Sequence, residues 1–317
     1  MELLTRILLD VLGPILLLIG VGAVVRWRFK VDIATLSKLN IYVFVPGFVY
    51  YYVSTSTLEW GQMGSVVGVT ALNVLVLGLL VWGIGTAARV ESRLLATLAL
   101  STMFYNSGNY GLPLAMLAFP GTDAAAVQTF VLLTQNILTF TVGLTIAAYA
   151  GSGSVGKGFV TIFRLPIIPT LVAAFATKWW LEQNPSRQLP VIIAKPVEYI
   201  AMGLVPIALI TLGAQLAKSP RWPRWKPVAM VMVLRLVVSG CLMAGYLAAI
   251  RALWPNSALA EIPPQWLILT ATTPSAINTL LLTLELGGDA DMGADCVFWT
   301  TVFSIVSVAI WLAILTG

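Results

Sequence analysis

Tyr105-Asn106-Ser107-Gly108-Asn109-Tyr110-Gly111-Leu112-Pro113 interrupts an otherwise apolar stretch, and no uninterrupted membrane helix would choose those residues. Two glycines, two asparagines and a proline within Asn106–Pro113 remove helix propensity and leave backbone groups without partners. In lipid an unpaired amide costs on the order of 2–7 kcal/mol unless it lines a protein-enclosed or watery cavity. A second interruption, Thr273-Pro274-Ser275-Ala276-Ile277-Asn278, stands at the corresponding place in the second half. Paired interruptions of this kind point to a binding site at mid-membrane depth.

The membrane itself is read from composition. Of 317 residues, 59% are hydrophobic and 10% charged, and the mean hydropathy is +0.92. A soluble domain would carry roughly 25% charged residues. Histidine is absent, which excludes His-dependent zinc and haem sites, Ser-His-Asp and Cys-His nucleophiles and His proton relays. No Ser or Cys has a nearby base, so an enzyme is not expected, nor any cofactor or metal. Cys241 and Cys296 fall in apolar spans and read as small buried hydrophobes. The N-terminus lacks a cleavable leader pattern, so residues 8–25 are expected to be a retained first span.

Spans of ~20 apolar residues fall near 8–26, 39–57, 64–87, 94–119, 126–149, 159–181, 197–217, 227–250, 264–286 and 296–315. The expected fold is therefore an all-α membrane protein of ten transmembrane helices. Gly151-Ser152-Gly153-Ser154-Val155-Gly156-Lys157 is a flexible linker near the midpoint. It divides a first five-helix repeat (1–150) from a second (158–317). Of the 18 Lys and Arg, twelve fall in odd loops and five in even loops or termini. The basic excess thus speaks of orientation rather than nucleic acid: odd loops cytoplasmic, both termini outside, multi-pass in a cell (inner) membrane. Trp27, Trp60, Trp179, Trp180, Trp222, Trp225, Trp254 and Trp266 fall near span edges, as in an aromatic belt.

Two related halves of five spans must be inverted, because five is odd. Val45-Pro46 in the second span matches Val205-Pro206 in the seventh, and the interruptions occupy the fourth and ninth. Gly121-Thr122-Asp123 and Gly287-Gly288-Asp289 then lead into the next helix of each half.

Two helices broken while crossing in opposite directions bring half-helix N-termini together, each with unpaired N–H groups and about half a positive charge. That makes an anion site without a basic side chain. Asn106, Asn109 and Asn278 would add amide donors and Ser107, Thr273 and Ser275 hydroxyls, while Gly108 and Gly111 would admit a ligand to the backbone. Pro46 and Pro206 read as kinks, at hinge or scaffold positions. Arg235, nine residues beyond Lys226, is expected to be structural, by snorkelling or by pairing with a carbonyl or acid; sensing substrate is the alternative. Glu285, Asp289, Asp291 and Asp295 read first as helix caps, with proton coupling through Asp295 or Glu198 as the other reading. Tyr42, Phe44, Phe48, Tyr50, Tyr51 and Tyr52 read as packing, some of them able to face an apolar part of the ligand. Gln135, Asn136 and Gln215 are candidates for interhelical hydrogen bonds.

On Asn106–Pro113, on Leu204-Val-Pro-Ile-Ala-Leu-Ile-Thr-Leu-Gly-Ala-Gln-Leu216 and on Pro274-Ser-Ala-Ile-Asn278, the chain resembles the auxin efflux carrier family, within the wider superfamily of bile-acid, arsenite and riboflavin transporters. The resemblance covers the whole chain and lacks the large cytoplasmic loop of plant carriers, like bacterial members. It implies a scaffold of spans 1, 2, 6 and 7, through which homodimers form. Spans 3–5 and 8–10 would be a transport domain moving as an elevator. It implies that broken helices 4 and 9 cross at Pro113 and Pro274, and that Asn106 and Asn278 hold a substrate carboxylate. The third span departs by holding no acid, only Asn73. The expectation is a secondary active transporter of small organic anions such as mono- or dicarboxylates or auxin-like acids; the alternative is a sodium-coupled symporter of the bile-acid type.

Overall fold

The computed structural model describes residues 5–146, 166–184, 186–217, 222–285 and 288–316. The linker 151–157 and the start of the sixth predicted span lie outside the described residues. Among the described residues, seven helices are long and apolar enough to cross a membrane. They are α1 (Leu9–Phe29), α2 (Ile33–Ser54), α3 (Trp60–Ala87), α6 (Ala124–Ile146), α8 (Val191–Leu216), α9 (Trp225–Leu253) and α12 (Ala290–Thr316). Between them lie α4 (Ser92–Met103), α5 (Leu112–Ala118), α7 (Ile167–Gln183), α10 (Pro264–Ala271) and α11 (Ile277–Glu285). No strand occurs among the described residues, only an isolated antiparallel bridge between Tyr105 and Ser275.

Several helices start earlier than hydropathy suggests, because polar side chains cap them. Asp32 opens α2 by accepting from the N–H groups of Ala34 (3.2 Å) and Thr35 (2.9 Å). Glu59 and Gln62 form a reciprocal capping box at the start of α3. α8 begins directly after Pro190 and runs through Pro196 and Pro206 without breaking. Pro46 likewise sits in the first turn of a helical segment that continues α2. Wide π-helical turns interrupt several helices, at Asn40–Phe44 in α2, Thr139–Gly143 in α6 and Leu234–Val238 in α9. Such turns concentrate near functional sites.

α1 packs on α8, and α2 packs on both α7 and α8. α3 packs on α4 and α6, while α9 packs on α10 and α12. α12 reaches back to α4, and α6 to α10. In the α1–α8 contact the backbones meet directly. A Cβ on Gly22 would run into the carbonyl of Ile210, and one on Gly213 into the carbonyl of Ile19. Small residues that let backbones touch are how membrane helices gain contact without a hydrophobic drive. Of the two cysteines, Cys296 is buried as expected; Cys241 is exposed on α9, a correction to the sequence reading. Its position on the outer face of the helix, not its residue type, decides this.

Two apolar clusters flank the Tyr105–Ser275 bridge. One holds Val66, Tyr105, Phe130, Met243 and Leu267; the other holds Leu98, Met103, Phe104, Ala276 and Cys296. The bridge is thereby held between well-packed walls.

Gly213→Ala should cost about 1–3 kcal/mol by overpacking and lower the thermal midpoint of the purified protein by several degrees. Gly68→Ala, where nothing lies within 4 Å of the added carbon, should leave it unchanged. Equal midpoints for the two variants would contradict the close α1–α8 contact.

Candidate functional site

α4 ends at Met103 and Phe104 turns extended (φ −106°, ψ 126°). α10 ends at Ala271. The two extended pieces then answer each other. The Asn106 N–H donates to the Pro274 carbonyl at 2.7 Å, and the Ala276 N–H donates to the Phe104 carbonyl at 3.0 Å. Side chains from the following helices meet what remains. The Tyr105 N–H donates to Gln135 Oε1 (3.3 Å) from α6, and the Ser275 N–H to the Thr300 hydroxyl (3.1 Å) from α12. The Ser275 hydroxyl donates to the Ser101 carbonyl at 2.6 Å. Buried backbone groups that lack a helix partner are here paired one by one.

Asn106 does two things. Its Oδ1 accepts from the Asn109 N–H at 3.1 Å, and its carbonyl accepts from Gly111 N–H at 2.9 Å. It therefore caps the wide turn Ser107–Gly111 that leads into α5. Its Nδ2 is buried without a partner. Asn109 is half-buried, and its Oδ1 accepts from Asn40 Nδ2 at 2.8 Å, which ties the interruption to α2. Ser107 offers its carbonyl to Gln128 Nε2 (2.8 Å), and Gln128 Oε1 accepts from the Thr270 hydroxyl. Gly111 has no side chain because the Gln128 amide stands where a Cβ would be. Gly108 has only Leu132 nearby, at ordinary contact distance. Thr273 and Ser275 are fully buried, and the Thr273 hydroxyl donates to the Thr270 carbonyl at 2.8 Å. Asn278 stands half-exposed in the first turn of α11.

The structure brings Asn106, Ser107, Pro274 and Ser275 together. The crossing in the first half, however, falls at Tyr105 and not at Pro113. Pro113 sits in the first turn of α5, where the missing N–H is one the helix could not use. Pro274 does lie at the crossing, and there it contributes its carbonyl.

Arg235 is fully buried, so it does not snorkel. It donates to the Thr102 carbonyl at 2.9 Å, to the Ala271 carbonyl and to the Ser239 hydroxyl, and it lies 4.4 Å from the Tyr105 ring centroid. A cation at a helix centre costs ~2.5–3.5 kcal/mol on insertion scales. Each hydrogen bond to a charged group contributes about 1.5–3 kcal/mol, so these three bonds suffice to hold it. Asp289 accepts from the Met292 N–H (3.0 Å) and pairs with Arg224 (2.7 Å), as a helix cap should. Asp295 is half-buried in α12, while Glu198 pairs with Lys195 at 2.8 Å.

A cavity of about 270 Å³ opens beside the far end of α5, lined by Tyr51, Tyr52, Ser56, Met116, Asp123 and Ala125. No residue of either interruption lines it. Two of the aromatic residues of the second span, Tyr51 and Tyr52, thus border open space while also packing against the cluster of Phe48 and Leu112.

The comparisons with known proteins point to membrane transport. Residues 162–312 match the family described as "Membrane transport protein". An "Uncharacterized transporter" of Methanothermobacter thermautotrophicus is 24% identical over 98% of this chain and 97% of its own length. A transporter of Methanocaldococcus jannaschii, also uncharacterized, is 24% identical over 94% of each chain. A "Putative malonate transporter" of Rhizobium meliloti is 24% identical over 86% of this chain and 84% of its own length. The chain has several membrane-spanning helices and is similar over most of its length to proteins named as transporters, in keeping with the auxin efflux carrier resemblance of its motifs.

Sequence reasoning missed Gln128, Thr270, Thr300, Ser239 and Asn40. Gln128 carried a signal, since it stands seven residues before Gln135 and shares its face of α6. The hydroxyls gave none, because threonines that bond only their own helix are common in spans.

Asn106→Ala removes both a cap (about 0.5–2 kcal/mol) and a buried donor, and should lower both thermal midpoint and uptake in proteoliposomes. Asn278→Ala removes only a half-exposed amide and should lower uptake alone. Wild-type uptake by both variants would sink the assignment.

Proposed function

We propose that the protein is a secondary carrier for small organic anions, with the substrate carboxylate held where the two interrupted helices cross. The observation that carries this reading is Asn106 Nδ2, a buried amide donor without a partner at the head of a half-helix. Beside it, the N-terminal ends of the Ser107–Ala118 segment and of α11 favour negative charge by their dipoles. The half-exposed Asn278 supplies a second amide from the opposite half.

Ten crossings in two inverted repeats fit the packing. If α1, α2, α3, α4–α5 and α6 correspond to α7, α8, α9, α10–α11 and α12, four of the main helix contacts have counterparts. The α1–α8 contact maps onto α7–α2, α3–α4 onto α9–α10, α3–α6 onto α9–α12, and α4–α12 onto α10–α6. The bridge maps onto itself. On this reading α1, α2, α7 and α8 form a scaffold and a dimer surface, and the remaining helices move against it as an elevator. The Asn40–Asn109 bond would be one of the contacts exchanged. Odd loops face the cytoplasm of a cell (inner) membrane. The name of the rhizobial relative makes malonate the first substrate to try.

Malonate or malate should raise the thermal midpoint of the purified protein, since a ligand at 100 Kd stabilises by about 2.7 kcal/mol. Malonamide, alike in shape but uncharged, should not. Equal stabilisation by the diamide would contradict an anion site.

A further inference from the structure

In carriers with broken helices, unwound carbonyls and the C-terminal ends of half-helices are where coupling cations bind. Here α4 and α10 end at Met103 and Ala271, and the carbonyls of Thr102 and Ala271 converge on one group, the guanidinium of Arg235. Arg235 reaches them from the wide turn Leu234–Val238 of α9. Ser239 steadies it from one turn on, and Asn73 of α3 donates to that hydroxyl at 3.0 Å. The face of Tyr105 covers the cation.

No carboxylate answers this charge among the described residues. The ion pairs Lys178–Glu182, Lys195–Glu198 and Arg224–Asp289 all lie away from it. The partners of Arg235 are two helix ends, a hydroxyl and a ring, all of them partial charges. One guanidinium nitrogen, Nε, is buried without any partner.

We propose that Arg235 is a tethered cation standing where the half-helix C-termini would otherwise hold a coupling ion, so that the carrier moves its anion without sodium. A soluble cation that binds and leaves would couple its gradient to each cycle; a tethered one travels with the protein and couples nothing. Its charge also remains at the crossing and favours an anion there. This inference rests on the anion-carrier reading above. It makes Arg235 a positioning residue that acts through the backbone of both interruptions, with no contact to substrate required.

The test is malonate uptake by proteoliposomes in sodium medium and in medium with N-methylglucamine as the only cation. Wild-type uptake should be equal in the two, and a tenfold or greater loss without sodium would overturn the proposal. Arg235→Lys keeps the charge and gives up the fork, and should retain sodium-independent uptake to within about tenfold. Sodium dependence in that variant would contradict the proposal. Arg235→Gln leaves the carbonyls without a charge and should fall about tenfold or more in sodium-free medium, with partial recovery on adding sodium. Wild-type uptake by a folded Arg235→Gln protein, or a loss that no cation alters, would overturn the tethered-cation role. Should Arg235→Gln fail to fold, the wild-type and Arg235→Lys measurements decide. Failure of every carboxylate tried to enter wild-type vesicles in either medium would instead strike the carrier reading itself.

Discussion

Two main-chain hydrogen bonds, Asn106 N–H to Pro274 and Ala276 N–H to Phe104, make the interrupted helices possible. A helix that stops at membrane depth exposes carbonyls at one end and N–H groups at the other, with no water to answer them. Each interruption here solves the problem of the other. The bridge fixes the crossing point, and Gln135 and Thr300 close the two N–H groups between the bridge bonds. Apolar clusters on both sides then keep solvent away from Tyr105 and Ser275. Loss of either interruption would leave the other with unpaired backbone.

The two kinds of helix end receive different treatment. The C-terminal ends of α4 and α10 are filled by Arg235, a permanent side chain. At the opposite ends, Asn106 spends its oxygen as a cap and keeps its amide nitrogen unpaired. In the function we propose, a crossing with its negative ends occupied and a donor unspent at a positive end would favour binding an anion. On the anion-carrier reading, that bias would come from backbone dipoles placed by chain topology, a way for a chain without histidine and with few charges to recognise charge.

Much of this was legible in the sequence because glycine, asparagine and proline have backbone consequences. The positions of both interruptions and the membrane class could be read directly. The crossing residue could not. Proline marked the interruption, yet Tyr105, an ordinary aromatic, occupies the crossing because extended backbone there meets Pro274. Gly111 read as an opening for ligand, but its vacancy belongs to Gln128, a fact of packing from another helix. Arg235 was recognisable as costly, while its carbonyl partners lie over thirty residues away at least and are set only by the fold. Helix starts shifted where Asp32 and Glu59 cap, since hydropathy ignores polar residues that stabilise a first turn. The interrupted helices also fall short of a spanning length piece by piece, and α7 is described over 17 residues, so length and composition count seven crossings among the described residues.

The most direct test of the central claim is an experimental structure of the protein with bromomalonate, located by the anomalous signal of bromine. A single strong peak is expected beside the crossing, with a carboxylate oxygen within hydrogen-bond reach of Asn106 Nδ2. A peak confined to the cavity of Tyr51, Tyr52 and Asp123, with the crossing empty while the compound is transported, would contradict it.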